Sequence, residues 1–519
     1  MKLIKKPVFW GAAILLFVMI VATCLNVGAL QTSIGQIYDF LIDQFGWFFI
    51  LSSLLLLVFS LFIAFGPYKN VRLGGQDAKP AFGTLSWAAM MFTTSCGAWL
   101  VVYGFLEPIY CAMNPAFQLE SLSTEALEVG QMYAHFHWGP SAWCIYVPIS
   151  VAIGYLIFNR HKENASFSDA CLVVCDKAET KKTTKVFSAA IDIVAVVSAV
   201  LAPVISIGTG MPLLTALIQN LFALPKSAEI YIQSAILVIW SLLFGASVFF
   251  GLKKGIKRLS NTNVVLALVL MLMVGVFAGI KYVFSAEINT IGLLVQKYLR
   301  LATYTDAYGD GTFVRGWTSS YWACYFVYMP LMGVFNAKIS KGRTLKQLVF
   351  GQLVLCSLGC WFAMATFGNY GMKLIVEGTV PVAEILANQG EAAAIMAVLQ
   401  AMPLSKFITV FLLCVCFVFL ATTMDSSAFA AAEITFKRTN ESQLAPRWLR
   451  ILWAIAASVI SFVLLQIGGF KVVRSLCYIA GLPLAILSYL VMAGVYKMLK
   501  QDRKPEFVQP ASKNIGDVE

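Results

Sequence analysis

Apolar stretches long enough to cross a lipid bilayer recur from one end of this chain to the other. A hydrocarbon core of roughly 30 Å needs about 20 apolar residues in a helix. Of the 519 residues, 59% are hydrophobic and only 12% are charged, and the mean hydropathy is +0.79. Soluble domains carry roughly 25% charged residues. Because only helices and closed barrels satisfy every backbone hydrogen bond in lipid, these stretches predict an all-α polytopic membrane protein.

Charged loops divide the chain into a dozen predicted membrane spans. Basic loops, such as that with Lys69 and Arg72, alternate with acidic ones, such as that with Asp39 and Asp43. The positive-inside rule therefore places both termini in the cytoplasm at a cell membrane, and it explains the net charge of +12 without a nucleic-acid partner. The predicted spans lie near residues 8–30, 46–66, 84–113, 131–158, 186–218, 229–251, 259–284, 317–337, 344–370, 405–434, 449–469 and 472–499.

Two predicted spans carry residues that interrupt helices. Span 3 contains Thr93 to Gly97 near its middle, and span 8 contains Pro330 and Gly333. Small residues can simply help helices pack. Paired interruptions in corresponding halves are, however, typical of transporters built from inverted repeats around a site at mid-membrane. The predicted units are two peripheral spans in 1–66, repeats in 84–286 and 317–499, an external segment 287–316 with an amphipathic helix at Ile288–Thr303, and a cytoplasmic tail at 500–519.

Aromatic side chains form a stripe along predicted span 8. At helical spacing, Trp317, Tyr321, Tyr325, Tyr328 and Met332 share one face. Lipid does not require such a face, because leucine and valine satisfy a bilayer equally well. Ring faces carry negative potential, so a group of rings inside a very hydrophobic protein can form a cage for a cation.

Predicted span 4 carries a second aromatic group, formed by Trp138, Trp143 and Tyr146. Taken alone, such an arc is more often ordinary packing or an interfacial belt. Together with the stripe of span 8, this group favours a binding site, because two aromatic faces that meet would enclose a box for a positive charge.

Polar residues within the apolar spans are candidates for ion binding. Span 10 contains Thr422, Thr423 and Asp425, Glu107 lies in span 3, and Asn263 lies at the start of span 7. Intramembrane hydroxyls commonly bond to their own helix, whereas an ionisable residue at that depth is costly and indicates a function by default. Hydroxyl and carbonyl oxygens are suitable ligands for a hard cation such as sodium.

Several motifs, spread from about residue 46 to 500, resemble those of the betaine/choline/carnitine transporter family. They are Phe65-Gly66-Pro67-Tyr68, Gly104…Glu107-Pro108, His137-Trp138-Gly139, Gly251…Lys254-Gly255, and Gly316-Trp317-Thr318 through Lys341-Gly342-Arg343-Thr344. The resemblance implies twelve spans with a five-plus-five inverted-repeat core of the LeuT type, usually in a homotrimer. It also implies transport of trimethylammonium compounds, or their sulfonium analogues, by alternating access.

The resemblance assigns a box of Trp138, Trp143, Tyr146 and Tyr325 to the substrate. Many members have two tryptophans where this chain has Cys324 and Tyr325, which leaves the size and head group of the substrate open. The full predicted substrate-binding set is Trp138, Trp143, Tyr146, Tyr325, Tyr328, Trp317, Tyr321, Cys324, Met332 and Tyr103.

The resemblance also implies a sodium site. Its features disagree on whether transport is coupled to sodium. Exchangers of the family carry an arginine at the position of Asn263, where its charge substitutes for the ion, whereas this chain retains the asparagine. Span 3, however, lacks the glycine-rich pattern of many symporters and has Trp99 there, which favours exchange. The implied ligands are the hydroxyls of Thr422 and Thr423 and the main-chain oxygens of Thr93, Cys96 and Phe419.

We therefore expect a secondary transporter that imports a zwitterion of the betaine or carnitine type by sodium symport. Asn263, Asp425 and Glu107 are expected to have coupling or structural roles. The expected partners are the substrate, sodium, lipid and further copies in a homotrimer, with no other cofactor. The alternatives are a sodium-independent antiporter of the carnitine/butyrobetaine type and a membrane sensor that binds the same ligands without transport. No enzyme constellation is apparent.

Overall fold

The computed structural model describes residues 3–162, 165–174, 182–251, 255–437, 444–467 and 470–502. Within these ranges every long element is helical, as predicted. Lys254 of the fourth motif and the predicted tail from residue 503 onward lie outside the described residues. The helices are α1 Lys6–Leu25, α2 Val27–Phe65, α3 Thr84–Met113, α4 Thr124–His137, α5 Pro140–Trp143, α6 Val147–Phe158, α7 Phe167–Leu172, α8 Lys182–Phe222, α9 Glu229–Gly251, α10 Lys257–Ala278, α11 Ile280–Thr303, α12 Ser320–Ile339, α13 Leu345–Phe350, α14 Cys356–Ala363, α15 Asn369–Val376, α16 Val382–Gln389, α17 Glu391–Gln400, α18 Ser405–Thr435, α19 Arg447–Gln466 and α20 Phe470–Gln501.

The described helices account for the predicted spans. Ten helical segments in the described part of the chain are long and apolar enough to cross a membrane, and the bent helix α3 is an eleventh. Two of these crossings consist of consecutive helices, α4 to α6 and α13 to α15. The remaining predicted span corresponds to α12, which is buried along its whole length. Its tyrosine, serine and asparagine side chains contact other helices rather than lipid, so apolar character alone does not identify it.

The predicted loop between the first two spans is wrong. α2 begins at Val27 and continues for 39 residues, so that Asp39 and Asp43 lie on a helix. The side-chain oxygen of Asn26 caps this helix by accepting a hydrogen bond from the backbone N–H of Ala29 at 3.0 Å. No proline interrupts the segment. The helix therefore extends well beyond the apolar stretch from which the span was predicted.

The predicted interruption in span 3 is confirmed. The two halves of α3, Thr84–Gly97 and Trp99–Met113, meet at an angle of 62°. Gly97 has a φ of +54°, a conformation that side chains with a Cβ rarely adopt. A Cβ added there would also lie 2.9 Å from the hydroxyl oxygen of Thr423. The kink therefore presses the backbone of α3 against α18.

The predicted interruption in span 8 is wrong. α12 is continuous through Pro330, and the irregular geometry lies before it, in the π-helical turn Val314–Ser319. Gly333 has a packing role instead, because an added Cβ would lie 2.6 Å from the side chain of Ile149 on α6. The small residue allows two helices to approach closely without breaking either of them.

An additional break lies in span 4, where none was predicted. α4 ends at His137, α5 begins at Pro140, and a 3₁₀ turn over Cys144–Tyr146 leads into α6. Proline has no backbone N–H, and a Cβ on Gly139 would lie 2.7 Å from the carbonyl oxygen of His135. The aromatic residues of this span therefore lie on irregular backbone rather than on one regular helical face.

The predicted amphipathic helix is present as α11, but it begins earlier than expected. Gly279, with a φ of +95°, ends α10 and directs the chain into α11 at Ile280. α11 packs against α4 and α5, where the hydroxyls of Tyr298 and Ser141 lie 2.7 Å apart. On the same side, the Nε2 atom of His135 lies 2.8 Å from a carboxylate oxygen of Glu287.

The buried helix α12 and the buried second half of α18, residues 419–435, form the centre of the molecule. α12 packs against α6, α8, α18 and α20, while α18 packs against α3, α8 and α19. This arrangement brings the kink of α3, the broken span α4–α6 and the aromatic face of α12 together. The repeat boundaries at 84–286 and 317–499 stay a prediction.

Candidate substrate and sodium site

Trp99, two residues after the kink of α3, lies within a cluster of aromatic rings. Its ring is nearly parallel to that of Tyr321, with centroids 5.8 Å apart and 9° between the planes, and to that of Tyr328, at 6.3 Å and 19°. It meets Trp138 at 6.0 Å and Tyr325 at 6.4 Å at steeper angles. We name as the aromatic cage the residues Trp99, Trp138, Trp143, Tyr146, Tyr321, Tyr325 and Tyr328.

The rings of predicted spans 4 and 8 meet in this cage. The Tyr325 centroid lies 6.3 Å from that of Trp138, 5.6 Å from Trp143 and 6.3 Å from Tyr146, with planes inclined by 63° to 86°. Rings at these distances and angles can form neighbouring walls of a box. None of the four side chains is more than 2% exposed. The aromatic face of α12 is therefore turned toward span 4 and away from lipid.

A buried carboxyl group of α3 connects a cage ring of the broken fourth span with a cage ring of α12. Glu107 of α3, which is fully buried, accepts hydrogen bonds on Oε2 from the indole N–H of Trp138 at 2.7 Å and from the hydroxyl of Tyr321 at 2.6 Å. Its Oε1 atom lies 2.8 Å from Nδ1 of His137, whose other ring nitrogen lies 3.0 Å from the hydroxyl of Thr318. Glu107 thus fixes the orientation of two rings and places its electronegative carboxyl oxygens at one end of the cage.

Hydroxyl groups connect the cage with the kink of α3. The hydroxyl of Tyr328 donates to the carbonyl oxygen of Ala202 at 2.6 Å and lies 3.0 Å from the hydroxyl of Ser206 on α8. A Cβ on Gly97 would lie 3.1 Å from that same Ser206 oxygen and 2.9 Å from that of Thr423. Ser206 therefore contacts both the cage and the kink.

The predicted sodium ligands lie on facing segments of α3 and α18. The hydroxyls of Thr422 and Thr423 both donate to the carbonyl oxygen of Phe419, at 2.7 and 3.1 Å. The hydroxyl of Thr93 donates to Ser260 on α10 at 2.9 Å. The side chain of Cys96 points to Cys360 on α14, with the two sulfurs 3.4 Å apart. Of these residues, Thr423 lies directly against the kink, where a Cβ on Gly97 would be 2.9 Å from its hydroxyl oxygen, a ligand of the kind that sodium prefers.

Three members of the predicted substrate-binding set lie at the edge of the cage. The partly buried ring of Trp317 is 6.5 Å from that of Tyr103 and 5.8 Å from that of Tyr321. The sulfur of Met332 lies 4.0 Å from the hydroxyl of Ser95 at the kink. These contacts place Trp317 and Tyr103 beside one end of the cage, and Met332 beside the kink.

The other predicted polar residues are buried in the surrounding helices. Asn263 is fully buried, and its amide oxygen and nitrogen have no hydrogen-bond partner within the described ranges. Asp425 is buried on α18 and interacts electrostatically with Arg450 of α19. Cys324 is buried on α12.

A comparison with protein families gives one match. The family model described as "BCCT, betaine/carnitine/choline family transporter" matches residues 7–504. The chain belongs to the betaine/carnitine/choline transporter family. The resemblance inferred from the motifs is thereby confirmed, and the match covers all twelve predicted spans.

Membership of the betaine/carnitine/choline transporter family means that this multi-pass membrane protein is a transporter of quaternary ammonium compounds. The chemistry of the cage agrees with that function. A trimethylammonium group has no N–H to donate, so hydrogen-bond acceptors cannot recognise it, whereas ring faces attract its charge. The carboxyl oxygens of Glu107, held beside Trp138 and Tyr321, favour a cation in the same region.

Two residues at the centre of this site had no assigned role in the sequence analysis. Trp99 was noted only as a departure from the glycine-rich pattern, although its ring contacts four other cage residues. Ser206 was not noted, because a serine on a long apolar helix is usually bonded to its own backbone. The nearby Pro203 is the only sequence signal, since it disrupts the hydrogen bonding of α8 at this point.

Proposed function

We propose that this protein imports a zwitterionic quaternary ammonium compound of the betaine or carnitine type together with sodium, by alternating access. The ammonium group would bind in the aromatic cage. The sodium ion would bind between the kink of α3 and α18, with the hydroxyls of Thr422 and Thr423 and the main-chain oxygens of Thr93, Cys96 and Phe419 as ligands.

The observation that carries the proposal is the contact, through Ser206, between the aromatic cage and the kink of α3 at the proposed sodium site. Gly97 lies against Thr423 and Ser206, and Ser206 reaches the hydroxyl of the cage residue Tyr328. An ion that draws Thr423 and the kink together would therefore also fix Ser206 and Tyr328. Coupling between two ligands requires that each changes the affinity of the other, and a shared contact provides the physical route.

The energetics of symport fit a neutral zwitterion. The substrate carries no net charge across the membrane, so the membrane potential alone cannot concentrate it. A sodium ion that crosses with it gains about 2.3 kcal/mol per 100 mV in addition to its own concentration gradient. We expect inward transport with both termini in the cytoplasm, and assembly as a homotrimer in the cell membrane.

The test is uptake of labelled glycine betaine by the full chain in proteoliposomes, with an inward gradient of sodium or of potassium. We expect accumulation only with sodium. Thr423→Val should abolish the dependence on sodium. Thr409→Val is the matched control, because Thr409 is a buried threonine of the same helix that bonds to the carbonyl oxygen of Ser405, far from the kink. Counterflow that is unaffected by sodium would contradict symport.

A second candidate function is sodium-independent exchange of substrate and product. The position of Trp99 favours it, because a large ring follows the kink where symporters of the family carry glycines. In the same proteoliposomes, exchange predicts rapid uptake only when unlabelled substrate is present inside, with equal rates in sodium and in potassium. A membrane sensor would show binding with no net uptake in either arrangement.

A further inference from the structure

We infer that the hydroxyls of Tyr146 and Tyr325 bind the carboxylate of the substrate, so that the cage selects a compact zwitterion over a simple cation. The inference rests on the proposed function, because it needs a trimethylammonium group in the same cage. It adds the recognition of the negative group, for which the aromatic rings themselves offer no binding energy.

The first observation is the state of the two hydroxyls. The side chains of Tyr146 and Tyr325 are 1% and 2% exposed, and neither hydroxyl has a hydrogen-bond partner within the described part of the chain. The hydroxyls of the neighbouring cage residues Tyr321 and Tyr328 both donate to protein oxygens. A buried polar group without a partner is unfavourable, and native proteins keep few of them. Two in one binding site indicate donors reserved for a ligand.

The second observation is the placement of these donors. The ring centroids of Tyr146 and Tyr325 are 6.3 Å apart, and the ring of Trp143 contacts both, at 6.2 and 5.6 Å. The two hydroxyls belong to different elements, the 3₁₀ turn before α6 and the centre of α12. Two donors from neighbouring walls of the cage can therefore serve the two oxygens of one carboxylate.

The polarity of the cage sets the orientation of the substrate. Glu107 is bonded to Trp138 and Tyr321, so its electronegative carboxyl oxygens lie at that end of the cage and make it suitable for the ammonium group. The carboxylate would then be repelled from Glu107 and directed toward Tyr146. Since Tyr325 contacts both Trp138 and Tyr146, it borders both groups of the substrate. The distance between them must be short, as in glycine betaine, where one carbon separates the nitrogen from the carboxylate.

The identity of residue 325 gives the hydroxyl its significance. Tryptophan, which many members of the family carry at this position, would supply a larger ring and no hydroxyl at this point of the wall. Tyrosine retains a ring face for the ammonium group and adds a donor for the carboxylate.

The test is the affinity of the purified full-length protein for glycine betaine, for choline, which has the same ammonium group and no carboxylate, and for γ-butyrobetaine, whose carboxylate is three carbons away. We expect the unmodified protein to bind glycine betaine most tightly. Tyr325→Phe and Tyr146→Phe should each lower its affinity about tenfold, because each removes a hydrogen bond to a charged group, and should change choline affinity less than about twofold. Tyr133→Phe is the matched control, since Tyr133 is a buried tyrosine outside the cage with an equally unpartnered hydroxyl.

The outcomes separate the inference from the proposed function. If the unmodified protein binds none of the three compounds, the proposed function itself is wrong. If it binds them but both phenylalanine variants keep its ratio of glycine betaine to choline affinity, the carboxylate site is wrong and the cage is not. Binding of γ-butyrobetaine as tight as that of glycine betaine would overturn the requirement for a compact substrate. Thermal unfolding of each variant verifies that the fold is retained, since a phenylalanine preserves the ring.

Discussion

The indole N–H of Trp138 donates a hydrogen bond of 2.7 Å to the Oε2 atom of Glu107. The same oxygen accepts the hydroxyl of Tyr321 at 2.6 Å. One carboxylate from α3 therefore orients a ring from the broken fourth span and a ring from α12. Because the attraction of a cation to an aromatic ring depends on the cation lying over the ring face, the orientation of these rings contributes to affinity as well as to packing.

Replacement of this carboxylate should weaken substrate binding. In Glu107→Gln, the amide N–H₂ group would face Trp138, Tyr321 or His137 and could not accept a hydrogen bond from it. Each buried donor left without an acceptor costs about 1–3 kcal/mol. We expect at least about a tenfold loss of glycine betaine affinity by calorimetry. Glu287→Gln is the control, because it changes a similar pair with His135 outside the cage. Unchanged affinity in Glu107→Gln would show that the carboxylate does not position the rings.

Removal of a cage wall should weaken binding of the trimethylammonium substrate by about 2- to 30-fold. Trp138→Ala and Trp143→Ala each delete a ring face worth about 0.5–2 kcal/mol to a cation. The control is Trp240→Ala, since Trp240 is a buried tryptophan whose indole N–H donates to Phe417, remote from the cage. All three variants should lower the melting temperature, but only the first two should lower the affinity for glycine betaine measured by calorimetry. Normal affinity in both cage variants would exclude the cage as the binding site.

A side chain at the kink should impair transport. Gly97→Ala would force alanine into a φ of +54° at a cost of about 1–2 kcal/mol, and its Cβ would meet the hydroxyls of Thr423 and Ser206. We expect at least about a tenfold loss of sodium-stimulated uptake in proteoliposomes. Gly292→Ala, on α11, has open space around the added Cβ and should leave uptake unchanged. Equal uptake by the two variants would mean that the kink is not part of the transport site.

The contact between α6 and α12 should depend on the absence of a side chain at position 333. Gly333→Ala places a Cβ 2.6 Å from Ile149, and overpacking of this kind costs about 1–3 kcal/mol. We expect a lower melting temperature for Gly333→Ala and a partial recovery when Ile149→Ala is combined with it. A double variant whose loss equals the sum of the two single losses would contradict a direct contact, because additivity is the behaviour of independent sites.

Local sequence features predicted the single elements of this fold well and their irregularities unevenly. The kink at Gly97 was predicted because a run of small and polar residues interrupts an apolar span. The same reasoning was wrong at Pro330 and Gly333, where α12 is continuous. Gly97 and Gly333 are both close to other helices, but only Gly97 has a positive φ. A glycine that is needed for its conformation and one that is needed for its size look identical in a sequence.

The sequence alone determined the membrane environment, the helical fold class, the family and most of the rings of the cage, because hydropathy, periodicity and motifs are properties of neighbouring residues. Tertiary structure decided which of these residues meet. The placement of Trp99 between the two aromatic groups, the bonds from Glu107 to Trp138 and Tyr321, and the contact of Ser206 with Gly97 and Tyr328 each join helices distant in the chain. Such contacts depend on how helices pack in three dimensions, and the spacing of residues along the chain does not determine that packing.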